Sequence, residues 1–164
     1  ISVPSYLLFS QDWGGYLECI CHGDMNSNNV MCDDAMTVAA LIDFRRTGYA
    51  HVYRDFVAFE SSIRLEFPEQ SHRGAPLAQY VEWELAALDR TLAQGVGVPA
   101  YLTHVSSVRD SAMANFPDEG WLSYVYGAAV HQLRLIRMGG WTELQYLRLL
   151  GSLTASLTWL EANR

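Results

Sequence analysis

Basic charge is scarce in this chain: 11 Lys and Arg stand against 18 Asp and Glu, a formal net charge of −7 over 164 residues. No Lys/Arg cluster offsets that balance locally, which argues against a nucleic-acid-binding surface. Long apolar runs are missing as well. Without about 18 uninterrupted apolar residues, a transmembrane helix is not expected. The opening Ile1-Ser2-Val3-Pro4 has no basic stretch of the kind that begins a signal peptide. It also has no initiator Met, so the chain reads as cut from something longer. Cysteine is sparse and odd in number (Cys19, Cys21, Cys32), which does not make a disulfide framework and points to a reducing, cytoplasmic setting. What is present is apolar: half of the residues are hydrophobic, with 5 Trp, 9 Tyr and 6 Phe, enough for one domain with a buried core.

The pattern along the chain predicts a small β region followed by helices. Residues 16–21 read as a short extended run that enters a polar loop at His22–Asn29. Val30-Met31-Cys32, a turn at Asp33-Asp34 and the apolar run Val38–Ile42 then make a hairpin, with Asp43 at its exit and Gly48 in the loop beyond. A helix fits about 51–67, with Val52, Phe56, Phe59, Ile63 and Phe67 on one stripe, and Pro68 stops it. Ser71–Pro76 reads as a loop. A second helix carries Val81, Leu85, Leu88 and Leu92 and ends at Gly95-Val96-Gly97. A third covers about 100–114, and a fourth runs from about Asp118 to Arg137, broken by Gly139-Gly140. The last, from Thr142, is rich in Leu on more than one face, as a helix between others would be. No repeat, low-complexity tract or linker divides the chain. The expected class is α+β and mostly helical, a single unit over 1–164, with a loop-and-hairpin region over 1–50 and a helical bundle over 51–164.

The residues that carry chemistry are concentrated in His22-Gly23-Asp24-Met25-Asn26-Ser27-Asn28-Asn29 and in Leu41-Ile42-Asp43-Phe44. Phosphoryl transfer needs a carboxylate near the acceptor hydroxyl and oxygen ligands for Mg²⁺ on the nucleotide phosphates. A loop with Asp24 and Asn29 five residues apart can turn one side chain to the acceptor and the other to the metal, and an Asp leaving a hairpin can close the metal site from the other side. The His-x-Asp-x-x-x-x-Asn spacing is that of a kinase catalytic loop. Asp43-Phe44 falls where a kinase carries Asp-Phe-Gly, with Arg45 in place of the glycine.

His22-Gly23-Asp24 with Ile42-Asp43-Phe44 after the hairpin resembles the aminoglycoside and choline kinase branch of the kinase-like phosphotransferases. The continuation Arg45-Arg46-Thr47-Gly48-Tyr49-Ala50-His51 and Arg54-Asp55-Phe56 is similar to the phosphotransferase-like "ternary complex associated" domains of bacterial multidomain signalling and conflict proteins. The resemblance covers residues 16–67, with only the helical outline behind it beyond. It implies a protein-kinase-like C-terminal lobe in which Asp24 is the catalytic base or acceptor-orienting carboxylate, and Asn29 and Asp43 hold Mg²⁺ and so the ATP phosphates. His22 would brace the loop near Phe44, Asp55 would accept hydrogen bonds from the loop backbone, and Asn26 would face the same pocket. Arg45 and Arg46 are read either as phosphate contacts or as solvated loop residues.

A kinase also needs a glycine-rich strand loop and a strand lysine. No Gly-x-Gly-x-x-Gly precedes His22 and no Val-Ala-Ile-Lys occurs, so the N-terminal lobe is expected to be absent and neither Mg²⁺ nor ATP to bind tightly to this chain alone. Two functions follow. One is an ATP-dependent phosphotransferase acting, in an intact parent, on a hydroxyl of a small molecule or protein. The other is a non-catalytic kinase-like interaction module. The expected partners are the missing lobe or other domains of the parent, with a homodimer as a further expectation where apolar surface around the hairpin is uncovered. A zinc site at Cys19, Cys21, Cys32 and His22 is weighed against buried free cysteines, and the latter is preferred.

Overall fold

A computed structural model describes residues 17–35, 37–67, 72–92 and 97–163. The expected helix stops at Pro68 and at Gly95-Val96, and residues 1–16, lie outside the described residues. Among the described residues, four short strands come first: β1 (Glu18–Cys21), β2 (Val30–Cys32), β3 (Ala39–Leu41) and β4 (Gly48–His51). Five helices follow: α1 (Arg54–Glu66), α2 (Leu77–Leu88), α3 (Ala100–Asn115), α4 (Gly120–Met138) and α5 (Glu143–Ala162). The class is α+β and mostly helical. Among the described residues no helix is long and apolar enough to cross a membrane.

The strands form two separate antiparallel pairs rather than one hairpin. β2 and β3 pair with Val30 opposite Leu41, and the intervening turn is held by Asp33, whose carboxylate accepts from the Thr37 and Val38 amides at 2.6 and 2.8 Å. β1 pairs with β4, Glu18 opposite His51 and Cys21 opposite Gly48. That corrects the reading of Gly48 as loop and of a helix from about 51. An extended β1 leaves a row of backbone donors and acceptors that need partners, and Gly48–His51 supplies them before α1 begins at Arg54. Four residues without hydrophobic alternation carry no strand signal of their own.

The helix ends follow local chemistry. α5 opens with a capping box, in which the Thr142 hydroxyl accepts from the Gln145 amide at 3.3 Å and Gln145 Oε1 accepts from the Thr142 amide at 2.9 Å. α2 closes with Arg90 in the left-handed region (φ 57°) and the Thr91 amide bonded back to the Ala86 carbonyl at 2.9 Å. α5 packs against both α2 and α4. Gly151 on its inner face lets α2 approach so closely that a Cβ there would lie 2.6 Å from Tyr80 Cβ.

The centre of the bundle is polar, which the apolar stripe expected on the first helix does not anticipate. The α1 residues that are buried are Val57, Glu60, Ser61, Ser62 and Arg64. Arg64 donates through Nε and Nη2 to Glu84 of α2 at 2.7 and 2.8 Å, and Arg109 of α3 donates through Nε and Nη2 to Glu60 at 3.0 and 2.9 Å. The Tyr124 hydroxyl of α4 donates to Glu60 at 2.7 Å, and Arg148 of α5 donates to the Arg64 carbonyl at 2.9 Å. All five helices thus meet at one ionic node. Burial alone would raise the Glu60 carboxyl, but the guanidiniums of Arg109 and Arg64 overcome it and hold the group down at about 2. Three apolar clusters complete the core, with Ala112 in one, Val125 and Ala155 in another, and Leu102 and Val105 in the third, all fully buried.

Candidate active site

The loop after β1 is pinned from below by α1. Asp55, in the first turn of that helix, accepts from the His22 amide at 2.5 Å and the Gly23 amide at 2.9 Å. An acidic side chain there also suits the positive end of the helix dipole. His22 is buried, its Nε2 lies 2.7 Å from the Ile42 carbonyl, and its ring centroid is 4.8 Å from that of Phe44. Donation to that carbonyl requires the proton on Nε2, which leaves a buried Nδ1 with no hydrogen-bond partner. His22 therefore joins the loop to the segment that carries Asp43.

Gly23 makes the close approach of those two segments possible. Its φ is +84°, and a Cβ on it would sit 2.1 Å from the Arg46 carbonyl oxygen. Thr47 Oγ1 reaches the His22 carbonyl at 3.5 Å and Arg54 Nη2 the Gly23 carbonyl at 3.3 Å. The loop then closes on itself. Asn26 Nδ2 and Asn29 Nδ2 both donate to the Asp24 carbonyl, at 3.0 and 2.8 Å, and Asn26 Oδ1 caps the 3-10 turn Ser27–Asn29 by accepting from the Asn28 amide at 3.0 Å. That turn docks on α1, where the Ser27 amide donates to Ser62 Oγ at 2.9 Å and the Ser27 hydroxyl bonds Glu66.

Asp24 and Asp43 come together from different elements. Together with Arg45 and Arg46 they line one cavity of about 220 Å³. Asn29 is buried and does not line it; its backbone carbonyl accepts from the Ile42 amide at 3.0 Å, so the loop and the Asp43 segment are linked at the base of the β2–β3 hairpin. Asn26 serves the loop and does not line the cavity. Asp43 itself adopts the left-handed conformation, φ 62° and ψ 59°, which an Asp tolerates better than most side chains. This turns the chain sharply into the 3-10 turn Phe44–Arg46 and sets both arginines beside the carboxylates.

Both carboxylates are engaged. Arg45 grips Asp43 with two bonds, Nε to Oδ1 at 2.7 Å and Nη2 to Oδ2 at 2.9 Å, while Arg46 Nη1 lies 3.6 Å from Asp24 Oδ1. Hydrogen bonding from Arg45, with its charge adding to it, holds the Asp43 carboxyl below the usual carboxylate range. The sequence offers only solvated or phosphate-meeting roles for these arginines; their engagement with the carboxylates depends on a backbone conformation that no residue pattern announces. The chain contains no lysine, so every fixed positive side chain near the site is an arginine.

Among the described residues no group of three or more His, Cys, Asp and Glu could hold a metal ion. Asn29 and Asp43 would offer an amide oxygen and a carboxylate, hard donors of the kind a Mg²⁺ takes beside waters and phosphate oxygens. Cys19 and Cys21 lie 3.6 Å apart on β1, Cys32 is exposed on the other strand pair, and burial together with the Cys19 contact pushes the Cys21 thiol up to about 12.

A model of the phosphotransferase enzyme family matches residues 15–87 of this chain. The match takes in the loop, both strand pairs, α1 and most of α2, which is less than half of the chain, and it supports a phosphotransferase-like domain. Neither a search of the curated proteins nor one of the solved structures found a match.

Proposed function

We propose that this chain is the catalytic-loop lobe of an ATP-dependent phosphotransferase acting on a hydroxyl of a small molecule or protein. The observation that carries the reading is the shared cavity of Asp24 and Asp43, reached from two segments locked together through His22, Asn29 and Gly23. Its position inside the span matched by a phosphotransferase family adds to it. Asp24 would orient the acceptor hydroxyl and take its proton. Asn29, whose amide nitrogen is committed to the Asp24 carbonyl, would offer its oxygen, and Asp43 its carboxylate, to a divalent cation. Bound Mg²⁺ would supply neutralisation of the phosphate charge. His22 and Asp55 keep the loop rigid, and rigid positioning is most of what this chemistry asks of a protein. The glycine-rich loop and lysine that grip nucleotide elsewhere are not in this sequence, so a further lobe is the expected partner and nucleotide is held weakly by these residues alone.

The test is Asp24→Ala and Asp43→Ala in the protein as it occurs in its own cells. Each should lower phosphoryl transfer by about a hundredfold or more, and undiminished transfer overturns the reading. A second reading, a non-catalytic interaction module, is favoured by the two-bond grip of Arg45 on Asp43. It predicts partner binding that survives both substitutions.

A further inference from the structure

We propose that Arg45 and Arg46 are a phosphate-recognising pair that holds the two site carboxylates until a cation-bound polyphosphate exchanges partners with them; this rests on the phosphotransferase reading of the same site. The four residues line one cavity, with one guanidinium on each carboxylate. Their charges sum to zero. A divalent cation arriving alone takes Asp43 but leaves the Arg45 guanidinium unpaired beside it. A polyphosphate arriving alone takes the guanidiniums but meets two carboxylates. Arriving together, the cation takes Asp43 while the phosphate oxygens take Arg45 and Arg46, which releases Asp24 to face the acceptor hydroxyl. The site is thus built to bind the two in concert rather than either one by itself.

The geometry supports an exchange rather than a fixed bridge. The Arg45 side chain is 86% exposed and that of Arg46 62%, and ion pairs at such exposure contribute little and open readily. The backbone beneath them is the opposite. Gly23 seats the Arg46 carbonyl against the loop, and the Thr47 amide closes the turn on the Phe44 carbonyl at 3.1 Å. The guanidiniums can therefore swing while their roots stay at the mouth of the cavity. The fork that Arg45 presents to Asp43 through Nε and Nη2 is also the one that fits two phosphate oxygens.

The experiment uses Mn²⁺ and tripolyphosphate as probes on the 164-residue chain, with Mn²⁺ binding followed by paramagnetic broadening of amide NMR signals around the cavity. Arg45→Ala should tighten Mn²⁺ alone by about fivefold and weaken Mn²⁺–tripolyphosphate by about fivefold, while amide signals of the helices stay in place. Arg46→Ala should act in the same directions. An Arg45→Ala chain that binds Mn²⁺ alone no better than the parent, or the complex no worse, overturns the proposal. Asp43→Asn separates the two ideas. If it abolishes Mn²⁺ binding while Arg45→Ala changes nothing, the metal reading stands and the arginine pair falls. If Mn²⁺ binding is indifferent to Asp43→Asn, both fall.

Discussion

At the scale of single residues, the site depends on what is missing from Gly23. Any side chain there must displace the Arg46 carbonyl and accept φ +84°, and the atom in the way is backbone, so it cannot yield as a flexible side chain would. Gly23→Ala should cost about 2 kcal/mol or more in urea denaturation, combining left-handed strain with the clash, and it should part the loop from the Asp43 segment. A variant as stable as the parent would show that the close approach is not needed. The residue types of this loop are legible in the sequence, because His, Asp and Asn at kinase spacing followed by Ile-Asp-Phe is a joint pattern that few loops share. The state of the carboxylates is not legible, because it depends on the left-handed φ of Asp43.

His131 offers a second test at this scale. Burial, with Arg134 next, pushes its imidazole down to about 4 from an ordinary 6.5, while Glu60 pulls the other way and Arg54 adds to the fall. A lowered folded value means that the unfolded chain takes up a proton first as pH falls. Stability is therefore whole above about 6.5 and declines as pH drops towards 4, by an amount on the order of 3 kcal/mol at the lower end. His131→Gln should flatten the stability profile between those values in thermal melts, and an unchanged slope would refute the assignment.

Among the elements, the five helices are ordered by a charge network that hydrophobic patterning hides. Periodicity locates α1 to α5 well, since their ends carry proline, glycine or a capping box, and of the stripe it expects Val52 is buried and Phe56, Ile63 and Phe67 pack against the core, but it does not announce the burial of Glu60 and Arg64 beside them. Glu84 lies in register with Tyr80, Ala87 and Leu88, and Arg109 with Val105 and Ala112, so the signal was charges standing inside apolar stripes. Removing one member strands the others. Glu60→Gln leaves Arg64 and Arg109 buried with one carboxylate, Glu84, between them. The expected loss is about 3–5 kcal/mol of unfolding free energy, read from urea midpoints at neutral pH. Because the Glu60 carboxyl is held at about 2, its contribution is whole above about 4.5 and is lost progressively as pH falls from there through 2, mostly below the His131 window. A loss under 1 kcal/mol would mean that the node is solvated in the folded state.

Taken whole, the molecule divides its apolar surface unevenly. The helices leave few large apolar side chains exposed (Leu77, Val130 and Met138), whereas the much smaller β region leaves Ile20 at 66% and Tyr49 at 77% exposure, with Met31, Val38 and Phe44 also more than half exposed. Ile20 and Tyr49 face each other across the β1–β4 pair, so they form one patch on one face. Among the described residues each strand pair has two strands and therefore open edges, the usual route to strand addition. Against this stands the net charge of −7, which keeps copies apart at low salt. The balance predicts that the 164-residue chain self-associates as its concentration rises, and more so when salt screens the repulsion. Sedimentation velocity at low and high salt measures this directly. The double variant Ile20→Thr, Tyr49→Thr should move the chain back towards monomer, while a paired change on the helical side, such as Val130→Thr, should not. Association that is indifferent to the β-face substitutions, or a monomer at every salt and concentration, would place the uncovered surface outside any contact between copies.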